Sequence, residues 1–202
     1  MIKNIVFDIG NVLFKFELSS EIEKFNTNEK RIEYINKIIT HEQIWDDYII
    51  GIVELNEVEK YFKSKYADYS LEIDILLQKK YQKYIIKQID ENVRILKRLS
   101  ECFDIYILSN ISKETYEYMN ENYDVFNYIK GGVYSYKEKI GKPEKKIFLK
   151  LIQKYGISPL ESIYIDDKYY NIDIATELGF IGLKCGLDDK LKELLDKEGV
   201  LN

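Results

Sequence analysis

The sequence predicts an α/β protein, a doubly wound parallel sheet with an inserted helical bundle, and three observations lead there. Short apolar runs rich in β-formers recur along the chain, with helix-period segments between the later ones. Three of these runs end in polar residues where a buried strand would emerge from the core. The stretch from about Phe16 to Asp90 breaks the alternation and shows only helical spacing. The expected division is a Rossmann-like core of residues 1–15 and 90–202, with residues 16–89 as a separate helical domain.

The first run, Ile2 to Ile9, is short and β-rich and leads into Asp8, Gly10 and Asn11, as a buried strand entering a loop does. Beyond Phe16, Val58, Tyr61, Phe62 and Tyr66 recur at helical intervals, and no strand is expected before Asp90. Many of the 18 tyrosines fall in such helices, where an aromatic at this spacing commonly packs in an amphipathic core. Asp90 is expected to cap a helix carrying Val93, Leu96 and Leu99, and Phe103 to Leu108 forms the next strand. A weaker strand at Gly132 to Tyr134 follows. The helix expected over Pro143 to Tyr155 places Ile147, Phe148, Leu151 and Ile152 on one face, with Gly156 just past its end. Ile163 to Ile165 is the fourth strand, Asn171 to Leu178 a helix stopped by Gly179, and Phe180 to Leu183 the fifth strand. In such a fold ligands bind beyond the carboxyl ends of the strands.

Composition narrows the function. The chain has 202 residues, 46% hydrophobic and 32% charged, with only two prolines, which suits an ordinary globular core and not disorder. A net charge of −5 and a pI near 5.2 argue against a nucleic-acid partner, which calls for a clustered basic face. No apolar run approaches the ~20 residues that span a bilayer, and the start lacks the order of a signal peptide, so no membrane partner and a cytoplasmic location are expected. Cys102 and Cys185 form no close pair and suggest two isolated buried thiols, neither a disulfide framework nor a zinc site. Either a monomer or a homodimer is compatible with this composition.

The strand ends carry the chemistry. Asp8 follows Ile5-Val6-Phe7, Ser109-Asn110 follows Ile105 to Leu108, and Asp166-Asp167 follows Ile163 to Ile165. Any one such carboxylate could simply cap the next helix, but parallel strands gather all three ends in one crevice. There Asp8, Asp166 and Asp167 would repel one another unless a divalent cation lay among them, and magnesium suits hard oxygen ligands. Lys142 precedes Pro143, and is expected to lie beside the N-terminus of the following helix, where both would attract an anion. Lys137, Lys139, Lys145 and Lys146 read as solvated charges. A metal, a carboxylate nucleophile, a hydroxyl with backbone donors and a lysine make a phosphoryl-transfer site.

At these residues the sequence resembles the haloacid dehalogenase-like hydrolase superfamily, in the subgroup with a helical cap after the first strand. Val6-Phe7-Asp8-Ile9-Gly10-Asn11-Val12-Leu13 resembles the first motif and Leu108-Ser109-Asn110 the second. Gly141-Lys142-Pro143, with Ile147-Phe148 downstream, resembles the third, and Ile165-Asp166-Asp167 through Asn171 and Gly179 the fourth. The resemblance implies that Asp8 attacks phosphorus to give an aspartyl phosphate, which water hydrolyses. It implies that Ser109, Asn110 and Lys142 hold the phosphoryl oxygens, and that Asp8, the Gly10 carbonyl and Asp167 ligate magnesium. Asp166 and Asn171 would stand behind that set or join it. The implied partner is a small phosphate ester.

Gly10 departs from the pattern, because most phosphatases of this superfamily carry there a second aspartate that protonates the leaving group. Such help is worth on the order of 10²–10⁴-fold, so its absence should slow turnover without erasing it. A Gly-Asn-Val first motif is characteristic of a subgroup that includes bacterial α-D-glucose-1-phosphate phosphatases, which points to a sugar phosphate whose anomeric oxygen departs readily. A cap residue could supply the proton, with His41, Glu42, Asp46, Asp47 and Glu54 as candidates, Trp45 and Tyr48 as walls, and Tyr169 and Tyr170 at the border. Two other functions compete: a metal-independent 2-haloacid dehalogenase, which the Asp166-Asp167 pair disfavours, and a non-catalytic binder of phosphometabolites, which would have no use for an attacking carboxylate.

Overall fold

The computed structural model describes residues 1–200 of the chain. Its centre is a five-stranded, wholly parallel sheet in the order β5-β4-β1-β6-β7, formed by β1 (Asn4–Phe7), β4 (Asp104–Ser109), β5 (Gly131–Tyr134), β6 (Ser162–Asp166) and β7 (Ile181–Lys184). β1 is central, pairing Phe7 with Ile107 on one side and with Ile165 on the other. In-register pairing brings the three polar strand ends to one edge of the sheet.

Both faces are covered, which is why these strands read as continuous apolar runs. Side chains alternate across the sheet, so Ile5 and Phe7 enter one core with Val93, Leu96 and Leu99 of α5 (Asp90–Leu99). Val6, Tyr106 and Tyr164 enter the opposite core with Ile147, Phe148 and Leu151 of α8 (Lys145–Tyr155) and Ala175 of α9 (Tyr169–Glu177). Gly156 ends α8 in the left-handed region at φ 63°, as its place beyond the apolar periodicity suggests. α6 (Lys113–Asn122) follows β4, capped by the Ser112 hydroxyl accepting from Thr115 N, and α10 (Leu191–Lys197) follows β7.

Between β1 and α5 lie α1 (Glu29–Ile39), α2 (Gln43–Ile49), α3 (Leu55–Lys65) and α4 (Ser70–Leu77). They close around an apolar cluster of their own, built from Ile32, Ile35 and Ile39 of α1, Val58 and Phe62 of α3, and Ile73 and Leu77 of α4. The i, i+3, i+7 spacing of the α1 isoleucines is that of a helix with one buried face. Beneath the cluster, Glu72 accepts hydrogen bonds from Thr27 Oγ1 at 2.5 Å and Arg31 Nε at 2.7 Å.

Three sequence expectations need correction here. The region 16–89 does contain strand: β2 (Phe14–Phe16) pairs antiparallel with β3 (Ile86–Gln88), a ribbon that carries the chain out of the sheet layer and back. Its three-residue members are too short to show a period. Asp90 is the first residue of α5, not its cap, a position held by Ile89. Cys102 is exposed and only Cys185 is buried, because Cys102 falls in the turn between α5 and β4.

Candidate active site

Asp8 leaves the end of β1, where its backbone N–H still reaches Ile165 O at 2.8 Å. The chain then turns tightly: Leu13 N and Phe14 N both donate to Ile9 O, and Asn11 takes a left-handed φ of 57°. Asparagine tolerates that conformation better than most residues. The turn lifts Asn11 to face β6, and its Nδ2 donates to Asp167 Oδ2 at 2.9 Å.

Lys142 is the hub. Its ammonium is buried and lies 2.9 Å from Asp8 Oδ1 and 2.6 Å from Asp166 Oδ2. Burial works against its charge, but the two carboxylates prevail and raise its pKa, so the site holds a fixed cation. The sequence expectation that Lys142 sits at a helix N-terminus is not met, because α8 starts only at Lys145 and the ammonium turns to the strand ends instead. The lysine backbone is clamped by Asn110, whose Nδ2 donates to Lys142 O at 2.9 Å while its Oδ1 accepts from Lys142 N at 2.7 Å.

Asp166 is fully buried and both its oxygens are used. Oδ2 accepts from Lys142 Nζ and from the Tyr164 hydroxyl at 2.5 Å, and Oδ1 accepts from Lys168 N at 2.8 Å. Asn171 Nδ2 bridges the two oxygens at 3.0 Å each. Asp166 thereby orients the lysine. Tyr164 is not among the residues the sequence singles out, although its place two residues before Asp166 on the same strand face is a usable signal. Asn11 lies in the first motif, and its tie to Asp167, 156 positions away, leaves no local signal.

Asp8, by contrast, is poised for chemistry. Ile9 N donates to its Oδ1 at 2.7 Å. Burial raises its pKa to about 6, Lys142 opposing and Asp166 adding to the shift, while the Ser109 hydroxyl favours the charged form. Ser109 itself is buried at the end of β4, facing Asp8. Asp8, Asp166 and Asp167 offer carboxylate oxygens within 4.8 Å of one another. With Asp166 committed elsewhere, Asp8 and Asp167 remain as the carboxylates that could hold a hard metal ion, and Gly10 lines the same cavity. Near Asp167, Lys168 Nζ stands 3.1 Å from Oδ2, and this hydrogen bond raises the lysine pKa. The Asn171 Oδ1 atom is buried without a partner among the described residues.

Two cavities meet at this point. One of about 210 Å³ is lined by Asp8, Lys142, Asp167, Tyr170 and Asn171, and a second of about 250 Å³ lies under the helices, and Gly10 and Asn11 line both. Of the outer candidates, Tyr170 borders the first cavity and Trp45 the second. His41 is exposed, its Nδ1 2.6 Å from Lys37 O, and Glu42 is taken by Tyr61, Lys65 and Tyr66. Asp46 and Asp47 line neither cavity, Glu54 caps α3, Tyr48 bonds Glu114, and Tyr169 is exposed beside Lys184.

A family model described as haloacid dehalogenase-like hydrolase matches residues 2–179. No curated protein matches the sequence. Among solved structures, a HAD family enzyme from Bacteroides thetaiotaomicron in complex with magnesium and inorganic phosphate has TM-score 0.78 at 23% identity, covering 96% of this chain and 99% of that one. A predicted HAD-like family hydrolase from Porphyromonas gingivalis has TM-score 0.75 at 19% identity, with 98% of each chain covered. The L-2-haloacid dehalogenase from Xanthobacter autotrophicus with chloropropionic acid covalently bound has TM-score 0.65 at 14% identity, over 99% of this chain and 83% of that one.

Proposed function

The chain belongs to the haloacid dehalogenase-like hydrolase family, and we propose that within it this protein is a magnesium-dependent phosphatase of small phosphate esters. The observation that carries the proposal is the buried Lys142 ammonium shared by Asp8 and Asp166 beside a third, separately held acid, Asp167. Asp8 attacks phosphorus, the bond from phosphorus to the leaving oxygen breaks, and the electron pair departs with that oxygen. Lys142 and the Ser109 hydroxyl hold phosphoryl oxygens. Because the Asn110 amide is spent on Lys142, its part is to fix the lysine and to offer a backbone donor. Water then hydrolyses the aspartyl phosphate. Asp8, Asp167 and the Gly10 carbonyl would hold magnesium, which supplies charge neutralisation for the approach of two anions. The helices of residues 16–89 serve as the cap over the leaving group.

An anomeric sugar phosphate is one ester whose oxygen departs readily, and it stays within this proposal. The dehalogenase alternative gains support from the Xanthobacter structure, whose ligand is covalently bound. The acids Asp8, Asp166 and Asp167 outnumber the ammonium groups of Lys142 and Lys168 beside them, and that surplus negative charge, which a metal cation would meet, counts against it. Phosphate release from a panel of esters should require magnesium and vanish in Asp8→Asn. Chloride release from 2-chloropropionate without magnesium would favour the dehalogenase.

A further inference from the structure

The two cavities differ in character, and their junction is Gly10. A Cβ built on Gly10 would meet no atom within 4 Å, and Gly10 lines both the acidic cavity and the one beneath the helices, so the way from Asp8 to the second runs past an open position. A phosphoryl group on Asp8 would direct its leaving group through this opening.

That second cavity is walled by Phe14, Phe16, Trp45, Leu76, Ile85 and Met119. Its polar groups are mostly engaged: Gln82 Nε2 donates to Leu76 O and its Oε1 accepts from Thr115, Asn11 holds Asp167, and Lys15 pairs with Glu17. Asn36 remains for one polar substituent. A sugar ring would bury several hydroxyls there without partners, each costing about 1–3 kcal/mol. Among the described residues the lining contains no carboxyl and no imidazole; its one ammonium, Lys15, is paired with Glu17, and Lys168, on the acidic side, is held by Asp167. With no uncommitted proton donor there, the leaving oxygen departs as an anion.

Taking the phosphatase reading as its base, we propose that the substrate is an aryl phosphate, the phosphate monoester of a phenol-like hydroxyl on a small apolar ring. An aromatic ring satisfies the apolar walls, and a phenolate is stable enough to leave without protonation. As the Asp8 oxygen bonds to phosphorus, the bond to the phenolic oxygen breaks, the phenolate takes the electron pair, and solvent protonates it after release.

The test compares para-substituted phenyl phosphates, benzyl phosphate and glucose 1-phosphate, each with magnesium. Benzyl phosphate keeps the ring but has an alcohol leaving group. Phenyl phosphate should exceed benzyl phosphate in kcat/KM by at least about 100-fold, the range of a missing general acid. Across the phenyl series, log kcat/KM should fall steeply as the phenol becomes less acidic. Gly10→Asp, which supplies a carboxyl at the junction, should flatten that slope and raise turnover of benzyl phosphate about tenfold or more. Trp45→Ala, checked for an unchanged melting temperature, should raise KM for phenyl phosphate roughly tenfold and alter kcat less. Preference for glucose 1-phosphate or benzyl phosphate, or a flat slope in the unaltered enzyme, would overturn the aryl assignment and leave the phosphatase standing. Absence of phosphate release from every ester would remove both.

Discussion

Asp8 and Asp166 are two carboxylates on one lysine with opposite tasks. Burial lifts the Asp8 pKa to about 6, so the metal-free protein holds a proton there that the unfolded chain would release near pH 4. A carboxyl raised in the folded state stabilises below its unfolded pKa and loses that contribution as pH rises through the folded value. Asp8→Asn should therefore raise the melting temperature of the metal-free protein at pH 8 by roughly 2–6 °C and leave it almost unchanged at pH 4. Turnover should decline on the acid side with an apparent pKa at or below about 6, since protonated Asp8 cannot attack and bound magnesium lowers the value. Asp166 is instead a structural anchor. Asp166→Ala would strand Lys142, Tyr164 and Asn171 in the core and should cost about 3–5 kcal/mol in a denaturant titration.

At the level of elements, the helical insertion is joined to the sheet at specific contacts. Ser135, first residue of α7 (Ser135–Glu138), donates to Ile49 O at the end of α2 at 2.8 Å and accepts from Ile111 N at 2.9 Å. Ser135→Ala should lower stability by about 1–2 kcal/mol, measured by chemical unfolding, because it leaves a buried and a partly buried backbone group without this partner. Gly51 has φ 75°, and a Cβ there would stand 2.4 Å from Tyr136 O, so Gly51→Ala should separate α2 from α7 and destabilise more than Ser135→Ala. Within the insertion, burial pushes the Glu72 pKa upward, yet Arg31 and Thr27 outweigh it and leave it lowered. A lowered carboxyl stabilises above its unfolded pKa and loses that effect as pH falls through the folded one. The acid limb of the stability profile below about pH 4.5 should therefore shrink in Glu72→Gln.

On the scale of the whole molecule, magnesium would tie the loop after β1 to the end of β6, so binding should stabilise the fold. At a hundred times its dissociation constant the gain is about 2.7 kcal/mol, visible as a rise in melting temperature that Asp167→Asn removes. The parallel sheet, the helical insertion and three of the strand-end acids were legible in the sequence because burial on both faces imposes long apolar runs and helical packing imposes a period. Those constraints are local and leave their mark residue by residue. What only the tertiary structure decided was the partnership of the polar groups: Lys142 with Asp8 and Asp166, Asn11 with Asp167, and Asn110 with the Lys142 backbone. The β2–β3 ribbon and the apolar cavity at Gly10 belong with these. Each depends on distances between segments tens of residues apart, and a hydrogen bond or an empty volume of that kind imposes no periodicity on the chain that makes it.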